Sequence, residues 1–163
     1  MIKPTTFEQL DLDRLERGYA YTSCARVVSG IGTPEDVVLF INEGTKPTYI
    51  SLLMIGMSQS SDVEWEISAN PVVTNQGTAA VALNRNTYHA ADPIYAAGAR
   101  LYKSPTVTSP GTLIDSPQTT KSSRFYSSDL RAIIAPTVSC LLRRISGGTN
   151  GKDIIVRIDW TEG

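Results

Sequence analysis

The sequence predicts an all-β fold, a jelly-roll-like two-sheet antiparallel sandwich over residues 19–163, preceded by a short N-terminal helix or arm over residues 1–18. Three observations predict it. Short runs of alternating or wholly apolar residues recur from Tyr19 onward, about eight to ten in all. Turn residues separate them roughly every 8 to 12 positions, the spacing of sandwiches and barrels. Strand-like runs never alternate with long helical patterns, which disfavours a parallel, doubly wound sheet. The 163 residues suit one domain.

The elements follow in order. In residues 1–18, Thr6 stands three places before Gln9, a capping-box spacing, and Gly18 suits a helix C-terminal stop. A helix of about ten residues is marginal alone, so it needs a docking surface. Tyr19, Tyr21, Ser23, Ala25 and Val27 then alternate with more polar neighbours. Val37–Ile41 is a compact apolar run ended by Asn42-Glu43-Gly44. Tyr49–Met57 is apolar on both faces, Ile50, Leu52 and Met54 against Ser51, Leu53 and Ile55, as in a doubly covered strand. Val63, Trp65 and Ile67 alternate with Glu64, Glu66 and Ser68. Shorter strands are expected at Ala79–Leu83, Ala99–Tyr102, Leu113–Ile114 and Phe125–Tyr126. Leu130–Ala135 and Val138–Ile145 flank Pro136, and a glycine-rich turn at 146–151 leads into the clean alternation Ile154, Val156, Ile158, Trp160.

Two segments repeat. Asn70-Pro71-Val72-Val73-Thr74-Asn75-Gln76-Gly77-Thr78 and Ser104-Pro105-Thr106-Val107-Thr108-Ser109-Pro110-Gly111-Thr112 share five of nine residues at an offset of 34. Proline ends the incoming strand, the Val-Thr pair runs extended, and glycine permits a reversal at positive φ. The units read as two hairpin-like corners of the same chemistry, similarly shaped loops at one end of the sandwich that can face a partner.

This pattern is a strand, Pro-x-Val-Thr-x-x-Gly-Thr, a strand, and a second unit introduced by Tyr102-Lys103-Ser104-Pro105. Val81-Ala82-Leu83-Asn84-Arg85-Asn86 follows the first unit, and the chain closes with Ala135-Pro136 and a last strand ending in Trp160. Over residues 36–162 it resembles tailed-bacteriophage virion structural proteins of the capsid-decoration or cement kind. The resemblance implies a non-enzymatic sandwich, commonly a homotrimer, whose partners are the major capsid protein and copies of itself. It implies a place on the capsid exterior after synthesis in the host cytoplasm. A head-fibre, tail or connector component has the same composition. A carbohydrate-binding, lectin-like sandwich is the reading from another class, with Tyr88 or Tyr95 as the stacking residue.

Motifs that carry chemistry are scarce. His89 is the single histidine, and Cys24 and Cys140 sit in no CxxC or ligand spacing, so neither a catalytic relay nor a zinc site is expected. The two cysteines read as buried free thiols. Glu64 and Glu66 read as the solvent face of a strand, Trp65 and Trp160 as core. Asp11 and Asp13 lack a calcium loop, and Gly147-Gly148 lacks the ending of a phosphate cradle. Arg143-Arg144 and Lys152 flank the last hairpin, a solvated pair of strands with one buried-face exception. A net charge of -1 argues against nucleic acid as partner. No apolar run approaches the ~20 residues of a membrane span, and no secretory signal is evident. No cofactor, metal or small-molecule substrate is expected. Candidate partner contacts are Phe7, Leu10, Leu12 and Leu15 in the arm and Pro71, Thr74, Pro105 and Thr108 in the repeats.

Overall fold

The computed structural model describes residues 14–15, 17–57, 61–88, 92–121, 125–128 and 132–163. Fifteen strands follow one another among them: β1 (Ala20–Val28), β2 (Glu35–Asn42), β3 (Thr48–Met57), β4 (Val63–Ala69), β5 (Val72–Asn75), β6 (Thr78–Ala79), β7 (Ala82–Asn84), β8 (Ala99–Lys103), β9 (Thr106–Ser109), β10 (Thr112–Asp115), β11 (Gln118–Thr119), β12 (Phe125–Ser128), β13 (Ala132–Ile134), β14 (Ser139–Gly147) and β15 (Asp153–Glu162). That exceeds the eight to ten expected, because several strands are only two to four residues long and carry no readable period.

Two antiparallel sheets pack face to face. One runs β12-β3-β15-β1-β7, with β13 also on β3. The other runs β10-β4-β14-β2-β8-β6, with β11 also on β4. The pairings β1 with β15, β2 with β14, β3 with β12 and β13, and β4 with β10 and β11 describe a chain folded back on itself and rolled up. That is the jelly-roll arrangement. Residues 70–111 are an elaboration between β4 and β10 that adds β5 to β9.

The core lies between the sheets. Trp160 stacks on Tyr21 with centroids 5.7 Å apart and meets Phe40 edge-on at 5.3 Å. Ile154, Val156 and Ile158 join it from the same face of β15, as their alternation predicts. Trp65 is also buried, its indole N–H donating to Thr119 Oγ1 at 3.0 Å.

Strand β3 departs from its expected two faces. Trp160 pairs with Ile50 but Asp159 pairs with Leu52, so Ser51 is the extra residue of a bulge. The inward set is therefore Ile50, Leu53, Ile55 and Met57, while Leu52 and Met54 are only half-buried. The cysteines also differ from expectation: both are free, but Cys24 is exposed and Cys140 half-buried. Cys24 lies on β1 between inward Ser23 and Ala25, so alternation turns it to the outer face. The basic pair is less solvated than expected: Arg144 is the buried exception, and Arg143, its side chain 16% exposed, pairs with Asp36 at 2.7 Å.

Of the N-terminal arm, Arg14 and Leu15 form the end of a helix. Tyr19 N–H donates to Arg14 O and Gly18 N–H to Leu15 O, with Gly18 at φ 82°. These are the two bonds of a Schellman stop at the predicted glycine. Thr6 and Gln9 lie outside the described residues.

Candidate interaction surfaces

The two repeat units do not sit side by side as separate corners. They pair with each other. Strands β5 and β9 form a two-stranded antiparallel ribbon with Val73 opposite Val107. On either side of it, Ala69 faces Thr112 and Thr78 faces Lys103. Each feature of one unit recurs 34 residues on. Asn70 and Ser104, before the prolines, hold φ of 53° and 51°; Gly77 and Gly111 hold 87° and 86°. Asn70 N–H donates to Ser139 O, and Ser104 N–H to Val37 O. Thr74 Oγ1 donates to Thr106 O, and Thr108 Oγ1 to Val72 O.

This is a local pseudo-two-fold, and the sheet beneath obeys it. Its order reads β10-β4-β14 on one side of the axis and β2-β8-β6 on the other. Leu39 and Leu141 pair at its centre and point away from the core, since their neighbours Val38, Phe40 and Leu142 point in. Both are nonetheless 0% exposed. The ribbon leaves β4 and β8 on either side of them and crosses that outer face. Val107 N–H reaches Asp36 Oδ2 on β2 at 3.4 Å.

The candidate contact residues divide accordingly. Thr74 and Thr108 are exposed on the ribbon, Pro71 is half-buried and Pro105 is buried. Leu15 is half-buried, its carbonyl accepting from Asn86 Nδ2 at 3.1 Å. Phe7, Leu10 and Leu12 lie outside the described residues, as does His89.

An open cleft of about 470 Å³ lies where β6 and β7 pass from one sheet to the other, lined in part by Ala80, Val81, Asn84, Asp92, Tyr95 and Arg100. Its far wall is fixed in place. Asp92 caps the 3-10 turn Pro93–Tyr95 by accepting from Ile94 N–H, and Asn84 Nδ2 donates to Tyr95 O and Gly18 O. Glu162, largely buried, accepts from the N–H groups of Gly98 and Ala99 and from the indole of Trp160. Burial, followed by the charge of Glu162, holds the phenol of nearby Tyr21 protonated far above the ordinary tyrosine range. Arg100 pairs with Glu43 at 3.2 Å. The cleft gathers residues from several distant segments, so no linear motif announced it. Its one sequence signal is small-residue runs at Ala79–Ala82 and Ala96–Ala97.

At the opposite end of β1, Arg144 is 1% exposed. It pairs with Glu35 at 2.9 Å and donates to the carbonyls of Gly30 and Gly147. Those bonds tie the stretch that follows β1 to the glycine-rich turn at 146–151. Among the described residues, no group of three or more His, Cys, Asp or Glu side chains is placed to hold a metal. Glu64 accepts from Ser146 Oγ at 2.8 Å and from Gln118 Nε2 at 3.5 Å, and Glu64 and Glu66 both line a shallow hollow.

No family model matches the sequence, and no curated protein matches it. Six chains of solved structures do. Among them is a chain of the tomato aspermy virus structure determined by X-ray crystallography, at 14% identity over 88% of this chain and 78% of that one, with a TM-score of 0.27.

Proposed function

We propose that this chain is a non-enzymatic structural protein of a tailed-phage particle, decorating or cementing the capsid shell through protein–protein contacts. The observation that carries the reading is the paired ribbon. The Pro-x-Val-Thr-x-x-Gly-Thr units that prompt the resemblance to phage virion proteins are the segments that pair and cross the sheet. They form a symmetric, hydrogen-bonded platform with Thr74 and Thr108 exposed, and a surface already folded before docking loses less entropy than one ordered on docking. The partners are the major capsid protein and copies of this chain, as a homotrimer on the capsid exterior, with the 1–18 arm and the ribbon as contacts.

Capsids of the source phage assembled without this chain are the test. The protein should co-sediment with expanded shells, and removal of residues 1–18 should lose shell binding while the number of chains per particle stays unchanged. A protein that never binds expanded shells would end this reading.

A carbohydrate-binding role is the second reading. Tyr88 is 94% exposed and Tyr95 lines the cleft, so each is a candidate ring for stacking on a sugar. Retention on a broad glycan panel, lost in Tyr88→Ala or Tyr95→Ala, supports it; no glycan retained removes it.

A further inference from the structure

The two free edges of the ribbon-bearing sheet are β10, continued along β4 by β11, and β6. The pseudo-two-fold makes them equivalent positions, yet the sequence has filled them in opposite ways. Thr112-Leu113-Ile114-Asp115 corresponds to Thr78-Ala79-Ala80-Val81 at the 34-residue offset. On one edge, Leu113 and Ile114 are 55% and 53% exposed. On the other, the same positions are alanines that open into the 470 Å³ cleft. Large side chains on one edge meet a hollow on the other.

Charge follows size. Asp115 ends the large edge, and Arg100 lines the hollow of the small one with its side chain 55% exposed. Strand direction agrees as well. Five antiparallel pairings separate β10 from β6, so the two strands run in opposite directions within one chain. A second copy in the same orientation therefore brings its β10 antiparallel to the first copy's β6. Among the described residues, no strand occupies either outer edge. Unpaired edges with exposed apolar side chains are templates for further pairing.

We infer that copies of this chain associate head to tail, with Leu113 and Ile114 of one copy seated in the cleft beside Ala79 and Ala80 of the next, and Asp115 against Arg100. The inference rests on the self-association included in the proposed function and specifies its surfaces. Such a contact is heterologous. It closes into a ring when the rotation between copies divides a full turn, and otherwise runs on.

Light scattering on the purified full chain tests it, with circular dichroism confirming that each variant is folded. The wild type should have a mass that is a multiple of 17.7 kDa. The double variant Leu113→Asp with Ile114→Asp should stay at the single-chain mass at every concentration. Arg100→Asp and Asp115→Arg should each weaken association at least tenfold, and the two together should restore it. Wild-type mass retained in the Leu113/Ile114 double variant, or no rescue in the charge swap, overturns the inference and leaves a shell-binding module intact. A wild type that is monomeric at all concentrations also overturns it, and shell co-sedimentation then judges the proposed function separately.

Discussion

Replacing Gly77 or Gly111 with alanine puts the pseudo-two-fold to an energetic test. Both glycines hold positive φ, where an L-residue with a side chain is strained by about 1–2 kcal/mol. A Cβ at Gly77 would lie 2.0 Å from Lys103 O, and at Gly111 2.1 Å from Ala69 O. Those atoms are backbone and cannot swing aside, so the ribbon must lift from the sheet. Overpacking of this kind adds about 1–3 kcal/mol. Loss of glycine freedom in the unfolded chain returns about 0.4–1 kcal/mol. Each variant should therefore be destabilised by about 2–4 kcal/mol. With a urea slope of about 2 kcal/mol/M, a loss of about 3 kcal/mol lowers the unfolding midpoint by about 1.5 M. Gly32→Ala is the control: nothing lies within 4 Å of its Cβ position, so its stability should change by no more than about 0.5 kcal/mol, a midpoint shift of about 0.25 M. Near-neutral Gly77→Ala and Gly111→Ala would refute the crossing ribbon. Costs differing by more than about 2 kcal/mol would refute the equivalence of the two units.

Arg144→Met leaves Glu35 and two backbone carbonyls without their buried cation, and should cost about 3–5 kcal/mol, read by calorimetry as a lower unfolding temperature. Leu39→Ala, beneath the ribbon and fully buried, should cost about 2–5 kcal/mol by urea unfolding although it lies outside the main core. Burial pushes the Cys140 thiol from 9.0 up to about 11, so at pH 8 iodoacetamide should label exposed Cys24 first, and mass spectrometry should find a second label only in urea. The same raised value has a stability consequence. Between pH 9 and about 11 the unfolded chain gives up the Cys140 proton while the folded one keeps it, so this contribution falls as pH rises, and Cys140→Ala should flatten the fall.

What the sequence revealed was local, and what it concealed depended on pairing at long range. The alternation of β15 and the burial of Trp65 and Trp160 were legible because period-two patterning fixes which face a residue occupies. The Gly18 stop was legible because a helix end has its own chemistry. The bulge at Ser51 was not: one extra residue swaps the faces of everything after it, and only the register against β15 reveals it. The repeat was plain, but its meaning needed β14 and β2, which lie between the two units in space and far from both in sequence. Arg144 read as one of two hairpin basics because Glu35, which neutralises it, and Gly30, whose carbonyl it holds, lie more than a hundred residues away and meet it only through the fold.

The distribution of exposed apolar side chains separates the parts of the molecule that hold it together from the part that meets others. Among the described residues, eleven large apolar side chains are exposed, and seven of them (Val72, Val81, Leu83, Tyr88, Ile94, Leu113 and Ile114) lie between residues 70 and 115. That stretch is the elaboration between β4 and β10, with β10 itself. The rolled strands bury their apolar residues against each other, as a self-sufficient core does. The elaboration instead spends two strands covering Leu39 and Leu141, and leaves Leu113, Ile114 and Val81 exposed on or beside the two free edges of one sheet, with Val72 on the ribbon and Leu83 on β7 of the other sheet. A chain under selection only for folding would place polar residues or charges at those edges to prevent pairing. Concentrating apolar side chains there, large on one edge and small on the other, is what an assembling surface requires.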